Sequence, residues 1–78
     1  MIINKGFRSL ADIKSEYYVL DTAIYDGDAW ELYEHEEYGD ERKMIAVNVT
    51  KGYYTLTWEC LSYTVANLAD EYELYSLL

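Results

Sequence analysis

A thiol and an imidazole are the side chains best suited to covalent catalysis, and this chain of 78 residues has one of each. Cys60 and His35 could form a thiolate–imidazole pair, but they fall on different predicted strands and their spacing supplies no third group to orient the histidine. A structural cysteine near a strand end and an exposed histidine among carboxylates explain them better. One Cys with one His also cannot build a structural zinc site.

Closely spaced carboxylates are the other candidates for chemistry. Glu34 and Glu36 would point the same way on a strand, but nothing near them supplies the apolar pocket that shifts a carboxyl pKa, so a solvated strand end is the simpler interpretation. The stretch Asp26-Gly27-Asp28 resembles the start of a calcium loop. Trp30 and Glu31, however, stand where that loop needs its third ligand and its glycine. The sequence therefore predicts no enzymatic activity, no metal and no cofactor.

The whole net charge of −9 lies in one segment of the chain. Residues 21–41, called the acidic segment below, hold nine acids and no Lys or Arg, whereas the other 57 residues hold six acids and six basic residues. Like charges concentrated in this way repel one another and lower the stability of a small domain. With a pI near 4.2, ordinary nucleic-acid binding is excluded.

Capping and turn residues divide the chain into short elements. Ser9 is predicted to cap a short helix that ends near Glu16, with Asp12 in the third position of a capping box. Alternating apolar residues and glycine-containing turns then predict four strands. The strands are expected at residues 17–25, about 29–38, 44–49 and 53–59.

The last segment changes to the period of a helix. Its apolar residues are spaced as on one helix face, with Ser62 or Thr64 as the cap: Val65, Leu68, Ala69, Tyr72 and Tyr75. We therefore expect a single α+β domain over residues 1–78. It would be a four-stranded antiparallel β-meander with the C-terminal helix packed on one face and the short N-terminal helix at an end or edge. The lone cysteine and the lack of a long apolar run favour a cytoplasmic protein.

The acidic segment has two interpretations as a charged surface. It could be a solvated face that keeps a tyrosine-rich protein soluble. It could instead occupy a groove lined by Arg and Lys, because carboxylates two apart on a strand repeat at about 6.6–6.8 Å, close to every second phosphate of a DNA strand. Interleaved aromatic rings would add contacts. The predicted contact residues are Asp26, Asp28, Glu31, Tyr33, Glu34, Glu36, Glu37, Tyr38, Asp40 and Glu41.

The runs from Asp26 to Glu31 and from Tyr33 to Glu41 give the chain the general character of small acidic inhibitors encoded by phages and other mobile elements. It resembles anti-CRISPR proteins, antirestriction proteins and inhibitors of DNA-repair glycosylases. The likeness is one of composition and covers about a quarter of the chain. It implies a compact, cofactor-free inhibitor that occupies the nucleic-acid site of a complex in a bacterial host. CRISPR effectors are the favoured partners, because they offer long Arg-rich channels.

A different interpretation involves aromatic residues rather than acids. If the C-terminal helix covers only one face of the sheet, Tyr17, Tyr25, Tyr33 and Tyr53 could form an exposed aromatic patch. Such a patch predicts a homo-oligomeric or adaptor module. Ionic strength separates the two hypotheses, because an acidic interface weakens steeply with salt and an aromatic one does not.

Overall fold

Among the residues that the structure describes, five strands form one antiparallel sheet in the order in which they occur along the chain. The structure is a computed structural model that describes residues 9–35 and 44–77. The strands are β1 (Tyr17–Tyr25), β2 (Asp28–His35), β3 (Met44–Asn48), β4 (Tyr53–Thr57) and β5 (Tyr75–Ser76). The predicted α+β class is confirmed. The prediction of four strands is wrong, because Tyr75 and Ser76 pair with the first two residues of β4.

The first two strands are joined by the predicted two-residue turn at Asp26 and Gly27. Both residues have positive φ angles, 53° and 85°, as a type I′ turn requires. The pairing of β1 with β2 follows from this turn and shifts once, at a β-bulge between Val19 and Asp21. Residues 36–38, which were predicted to extend the second strand, lie outside the described residues.

One face of the sheet is covered by α1 (Leu10–Glu16). Ser9 caps this helix as predicted, because its Oγ accepts the backbone N–H of Asp12 at 3.4 Å. Ile13 of α1 is fully buried. It belongs to a cluster with residues of three strands and the end of the described chain: Tyr33, Ile45, Val47, Tyr54 and Leu77.

The other face is covered by α2 (Leu61–Ala66), followed by the short α3 (Leu68–Glu71). Leu61 and Val65 pack in a second cluster with Trp30, Leu32 and Ala46. Both faces of the sheet are therefore covered, whereas the sequence predicted that a helix would cover one. None of the helices within residues 9–35 and 44–77 has the length and apolar character needed to cross a membrane.

The prediction of one C-terminal helix with an apolar face from Val65 to Tyr75 is wrong in its extent. α2 is preceded by Cys60, earlier than either predicted cap, and its C-cap Asn67 has φ −120° and ψ 20°, so the helix stops there. The side-chain Nδ2 of Asn67 donates to the carbonyl of Tyr63 at 2.8 Å, a local bond of the kind that competes with helix continuation. The last two positions of the predicted apolar stripe lie beyond both helices: Tyr72 and Tyr75.

Candidate functional site

The acidic segment falls partly within the described residues. Its first part is the hairpin of β1 and β2, and Asp21 and Asp26 are its exposed acids. Asp21 lies beside the bulge of β1, and Asp26 lies in the turn. The remaining predicted contact residues of this segment lie outside the described residues: Glu36, Glu37, Tyr38, Asp40 and Glu41.

Asp28 ties the hairpin to the turn between β3 and β4. Its Oδ2 accepts a hydrogen bond from Asn48 Nδ2 at 2.9 Å and lies 3.4 Å from Lys51 Nζ, and the Asp28 side chain is 14% exposed. The bond from Asn48 lowers the pKa of Asp28, and Lys51 lowers it further against the opposing effect of burial. Asp28 therefore has internal partners for its charge.

Tyr33 was expected at the surface, but it is 2% exposed. Strand alternation turns its ring towards Ile13 of α1. Its hydroxyl donates to Glu31 Oε1 at 2.5 Å. Burial, together with this carboxylate, holds the pKa of Tyr33 well above its usual value. The expected exposure of Tyr33 is thus corrected, and the carboxylate of Glu31 is engaged within the hairpin.

Glu34 was expected at a solvated strand end, but it is 7% exposed. It lies on the face of β2 that also carries Leu32 and Trp30. Its Oε1 accepts the hydroxyl of Tyr18 at 3.0 Å, a bond across from β1 to β2. The expectation of an exposed Glu34 is therefore wrong, because the neighbouring strand covers this carboxylate and supplies it with a donor.

Cys60 and His35 are not brought together. The ring of His35 packs edge-on against Tyr17 at 5.0 Å, on the side of the sheet that α1 covers, whereas Cys60 precedes α2 on the other side. The hydroxyl of Ser62, 3.5 Å from the thiol, lowers the pKa of Cys60. In the described parts of the chain, no group of three or more side chains is arranged to hold a metal ion.

The predicted tyrosine patch does not lie on one surface. Tyr17 and Tyr33 occupy one face of the sheet, and Tyr25 and Tyr53 occupy the other. Tyr33 is buried, and Tyr17 and Tyr53 pack against the two apolar clusters. Only Tyr25 of these four is strongly exposed, at 43%. The prediction depended on an open sheet face, and both faces are covered.

An exposed row of apolar side chains on β1 is the surface that the sequence analysis missed. β1 is an edge strand of the sheet within residues 9–35 and 44–77, and Ile24 is 75% exposed. Four more apolar or aromatic residues of this strand are 43–49% exposed: Tyr18, Val19, Leu20 and Tyr25. The sequence of β1 contains several apolar residues that do not alternate strictly with polar ones. These side chains are exposed because β1 lies at one end of the strand order, and the spacing of residues in the sequence does not reveal that order.

A shallow groove of about 420 Å³ lies between β4 and the segment that follows α3. Aromatic rings and carboxylates form most of its walls: Trp58, Glu59, Glu71, Tyr72, Glu73 and Tyr75. The hydroxyl of Tyr75 donates to Glu73 Oε1 at 2.8 Å, which raises the pKa of Tyr75. Sequence spacing does not reveal this groove, because the pairing of β5 with β4 brings its walls together.

Comparison with known proteins identified no relative of this chain. No family model matches the chain, and no curated protein and no solved structure is significantly similar to it.

Proposed function

We propose that the chain is a non-enzymatic inhibitor that uses the acidic segment of residues 21–41 to occupy a basic, nucleic-acid-binding site on a partner protein. The favoured partner is a CRISPR effector in the cytoplasm of a bacterial host, so the proposed class is anti-CRISPR. The observation that carries the proposal is the distribution of charge: the hairpin from Tyr17 to His35 contains five acids and no Lys or Arg. A basic groove is the complement of such a surface.

Hydrogen bonds within the domain guide the choice of acids that we assign to this role. Asp28, Glu31 and Glu34 accept hydrogen bonds from other side chains of the domain. Asp21 and Asp26 are exposed, so within the hairpin we assign the contact to them. From the rest of the acidic segment, Glu36, Glu37, Asp40 and Glu41 remain proposed contact residues.

A rigid hairpin suits this role for a thermodynamic reason. Its turn has the type I′ geometry that favours paired strands, and β2 is hydrogen-bonded on both sides within the sheet. Asp21 and Asp26 are therefore held in place before binding, and association does not have to order the backbone that carries them. Charge placed in this way mainly accelerates encounter with a basic partner and makes binding salt-dependent.

The test compares two variants with the same net charge. The first neutralises five acids of the segment: Asp26→Asn, Glu36→Gln, Glu37→Gln, Asp40→Asn and Glu41→Gln. Asn suits position 26 because it tolerates the positive φ there. The control neutralises five exposed acids elsewhere: Glu16→Gln, Glu59→Gln, Asp70→Asn, Glu71→Gln and Glu73→Gln.

The assay measures displacement of labelled target DNA from CRISPR effector ribonucleoproteins at low and high salt. At roughly 0.5–1 kcal/mol for each lost charge contact, we expect the first variant to lose about 100-fold or more in inhibition. The control should stay within a few-fold of the unmodified protein. Equal inhibition by both variants would show that the position of the charge does not matter and would refute the proposal.

The alternative is a homo-oligomeric or adaptor module, and one observation favours it. The apolar row on β1 is exposed, as the row of an interaction surface would be. This hypothesis predicts binding that persists at high salt and survives the five neutralising substitutions in the acidic segment.

A further inference from the structure

The outer edge of β1 presents backbone groups as well as apolar side chains. The orientation of these groups follows from Ala29 of β2, the residue opposite Ile24. On the side of β2 that faces away from β1, the Ala29 N–H donates to Thr50 Oγ1 at 2.8 Å and the Ala29 carbonyl accepts the N–H of Val49 at 2.9 Å. Both backbone groups of Ala29 thus point away from β1. In an antiparallel pair the directly opposite residue has the reverse orientation, so Ile24, the partner of Ala29, directs its N–H and C=O away from β2.

Part of this edge is already closed. The ladder alternates, so Thr22 also directs its backbone outward, but the side-chain Oδ1 of Asp21 accepts the Thr22 N–H at 2.9 Å. The bulge between Val19 and Asp21 interrupts the pairing further along β1. Bulges and charged side chains are devices that blunt a sheet edge. The open stretch is therefore Thr22–Tyr25, in which Thr22 supplies only its C=O and Ile24 supplies both a donor and an acceptor.

We propose that Thr22–Tyr25 of β1 docks an extended segment of a basic partner protein, which adds to the sheet as a further strand. The basic character of the partner is taken from the proposed function, and this inference rests on the proposed function in that respect. Asp21 and Asp26 lie at the two ends of the open stretch, five residues apart in sequence. Asp21 to Tyr25 spans about 13–14 Å of extended strand, and Asp26 follows at the turn. The complementary segment carries Lys or Arg at about this spacing, with apolar residues between them that contact Ile24 and Tyr25.

A second copy of the chain fits this edge less well. Consider the antiparallel self-pairings that join the outward groups of Ile24 to Thr22 or to Ile24 of the second copy. In the first pairing, Asp26 of one copy lies opposite residue 20 of the other, and in the second it lies opposite residue 22. Asp21 is the next residue in both cases, and the two-fold symmetry places the same two charges together a second time. Negative charges this near each other repel, which opposes these self-pairings. Each copy also carries a net charge of −9.

The experiment uses the full chain, labelled with ¹⁵N, and three synthetic peptides. The first is the hexapeptide Lys-Val-Thr-Val-Thr-Lys, whose two lysines have the spacing of Asp21 and Asp26. The second has the same sequence with N-methylated threonines, whose N–H groups face β1 when the lysines lie opposite Asp21 and Asp26, so it keeps the charge but loses these backbone donors. The third replaces both lysines with Gln and keeps the donors. Amide hydrogen exchange at Ile24 and chemical-shift changes along β1 report where each peptide binds.

We expect the lysine peptide to slow exchange at Ile24 by about tenfold or more, and the N-methylated and Gln peptides to do so much less. Ile24→Pro, which removes the outward donor, should abolish this binding, and Ile24→Val, which keeps it, should not. A melting curve checks that both variants fold. If the proline variant does not fold, the three peptides still decide the question.

The other outcomes separate this inference from the proposed function. Equal binding by the lysine peptide and its N-methylated form, with no change at Ile24, overturns strand addition and leaves charge attraction standing. Equal binding by the Gln and lysine peptides overturns a basic segment as the occupant of this edge, and the DNA-displacement assay remains the test of the proposed function. No effect from any peptide overturns strand addition. Slow exchange at Ile24 in the free protein, with a dimer in sedimentation, assigns the edge to a second copy instead.

Discussion

Glu34 offers the sharpest test of which acids belong to the fold and which to the surface. Glu34→Ala removes a carboxylate that is 7% exposed and accepts the Tyr18 hydroxyl at 3.0 Å. Hydrogen bonds to charged groups contribute about 1.5–3 kcal/mol to the free energy of unfolding. Because Tyr18 is 45% exposed, we assign this bond the lower value, about 1.5 kcal/mol. The lost methylene adds about 0.8 kcal/mol. Removing one negative charge also reduces the repulsion among the hairpin acids, which offsets the loss of unfolding free energy by less than about 1 kcal/mol.

The expected net loss of unfolding free energy is about 1.5–2 kcal/mol, which lowers the melting temperature by roughly 6–16 °C in a domain of this size. Asp26→Asn is the control, because it removes an exposed carboxylate in the same hairpin and should change stability by less than about 0.5 kcal/mol. Thermal unfolding followed by circular dichroism measures both variants.

A double-mutant cycle with Tyr18→Phe isolates the contact itself. Tyr18→Phe removes the hydroxyl and keeps the ring, so the two substitutions together should be less destabilising than their sum by about 1 kcal/mol. The reasoning is refuted if Glu34→Ala is as stable as the unmodified protein or more stable. That result would mean that repulsion within the acidic segment outweighs the hydrogen bond and the packing of Glu34.

Two further predictions concern the core and the response to acid. Leu61→Ala should lower the free energy of unfolding by about 2–5 kcal/mol, because Leu61 is 1% exposed. The control Leu74→Ala should lower it by less than about 0.5 kcal/mol, because Leu74 is 48% exposed. Equal melting temperatures of the two variants would contradict the position of α2. Asp28 has a pKa below its usual 3.8, so its stabilising effect is complete above that pH and is lost as the pH falls through the lower folded-state value. Asp28→Asn should therefore lower the melting temperature at neutral pH and reduce its fall in acid, and an unchanged acid limb would contradict the bond to Asn48.

Elements with local signals were predicted well from the sequence. Ser9 caps α1 because its hydroxyl reaches a backbone N–H three residues away, and that geometry needs no information from the rest of the chain. The turn at Asp26 and Gly27 is equally local, because it depends on two residues that tolerate positive φ. β1 and the start of β4 followed from these boundaries and from apolar composition.

The errors arose where distant contacts decide the structure. Tyr75 fits the spacing of a helix, but its ring packs against Tyr54 at a centroid distance of 5.4 Å and its backbone pairs with β4. Pairing across 21 residues of sequence overrides a local preference that is worth only a few tenths of a kcal/mol per residue. The burial of Glu34 depends in the same way on Tyr18 of the neighbouring strand. Sequence spacing predicts a helix at Tyr75 and a strand at Glu34, and it shows neither the strand that pairs with Tyr75 nor the residue that covers Glu34.

The coverage of both sheet faces limits where this small domain can meet a partner. α1 covers one face and α2 the other, so the sheet's available surfaces in the described residues are its edges and the turn end of the hairpin. The exposed carboxylates of Asp21 and Asp26 lie at either end of the open stretch of β1. Charge acts at a distance and governs encounter, whereas backbone pairing acts at contact and governs dissociation. A partner that uses both would lose association rate when the acids are neutralised and residence time when the Ile24 donor is removed, so the two contributions are separable in one binding experiment.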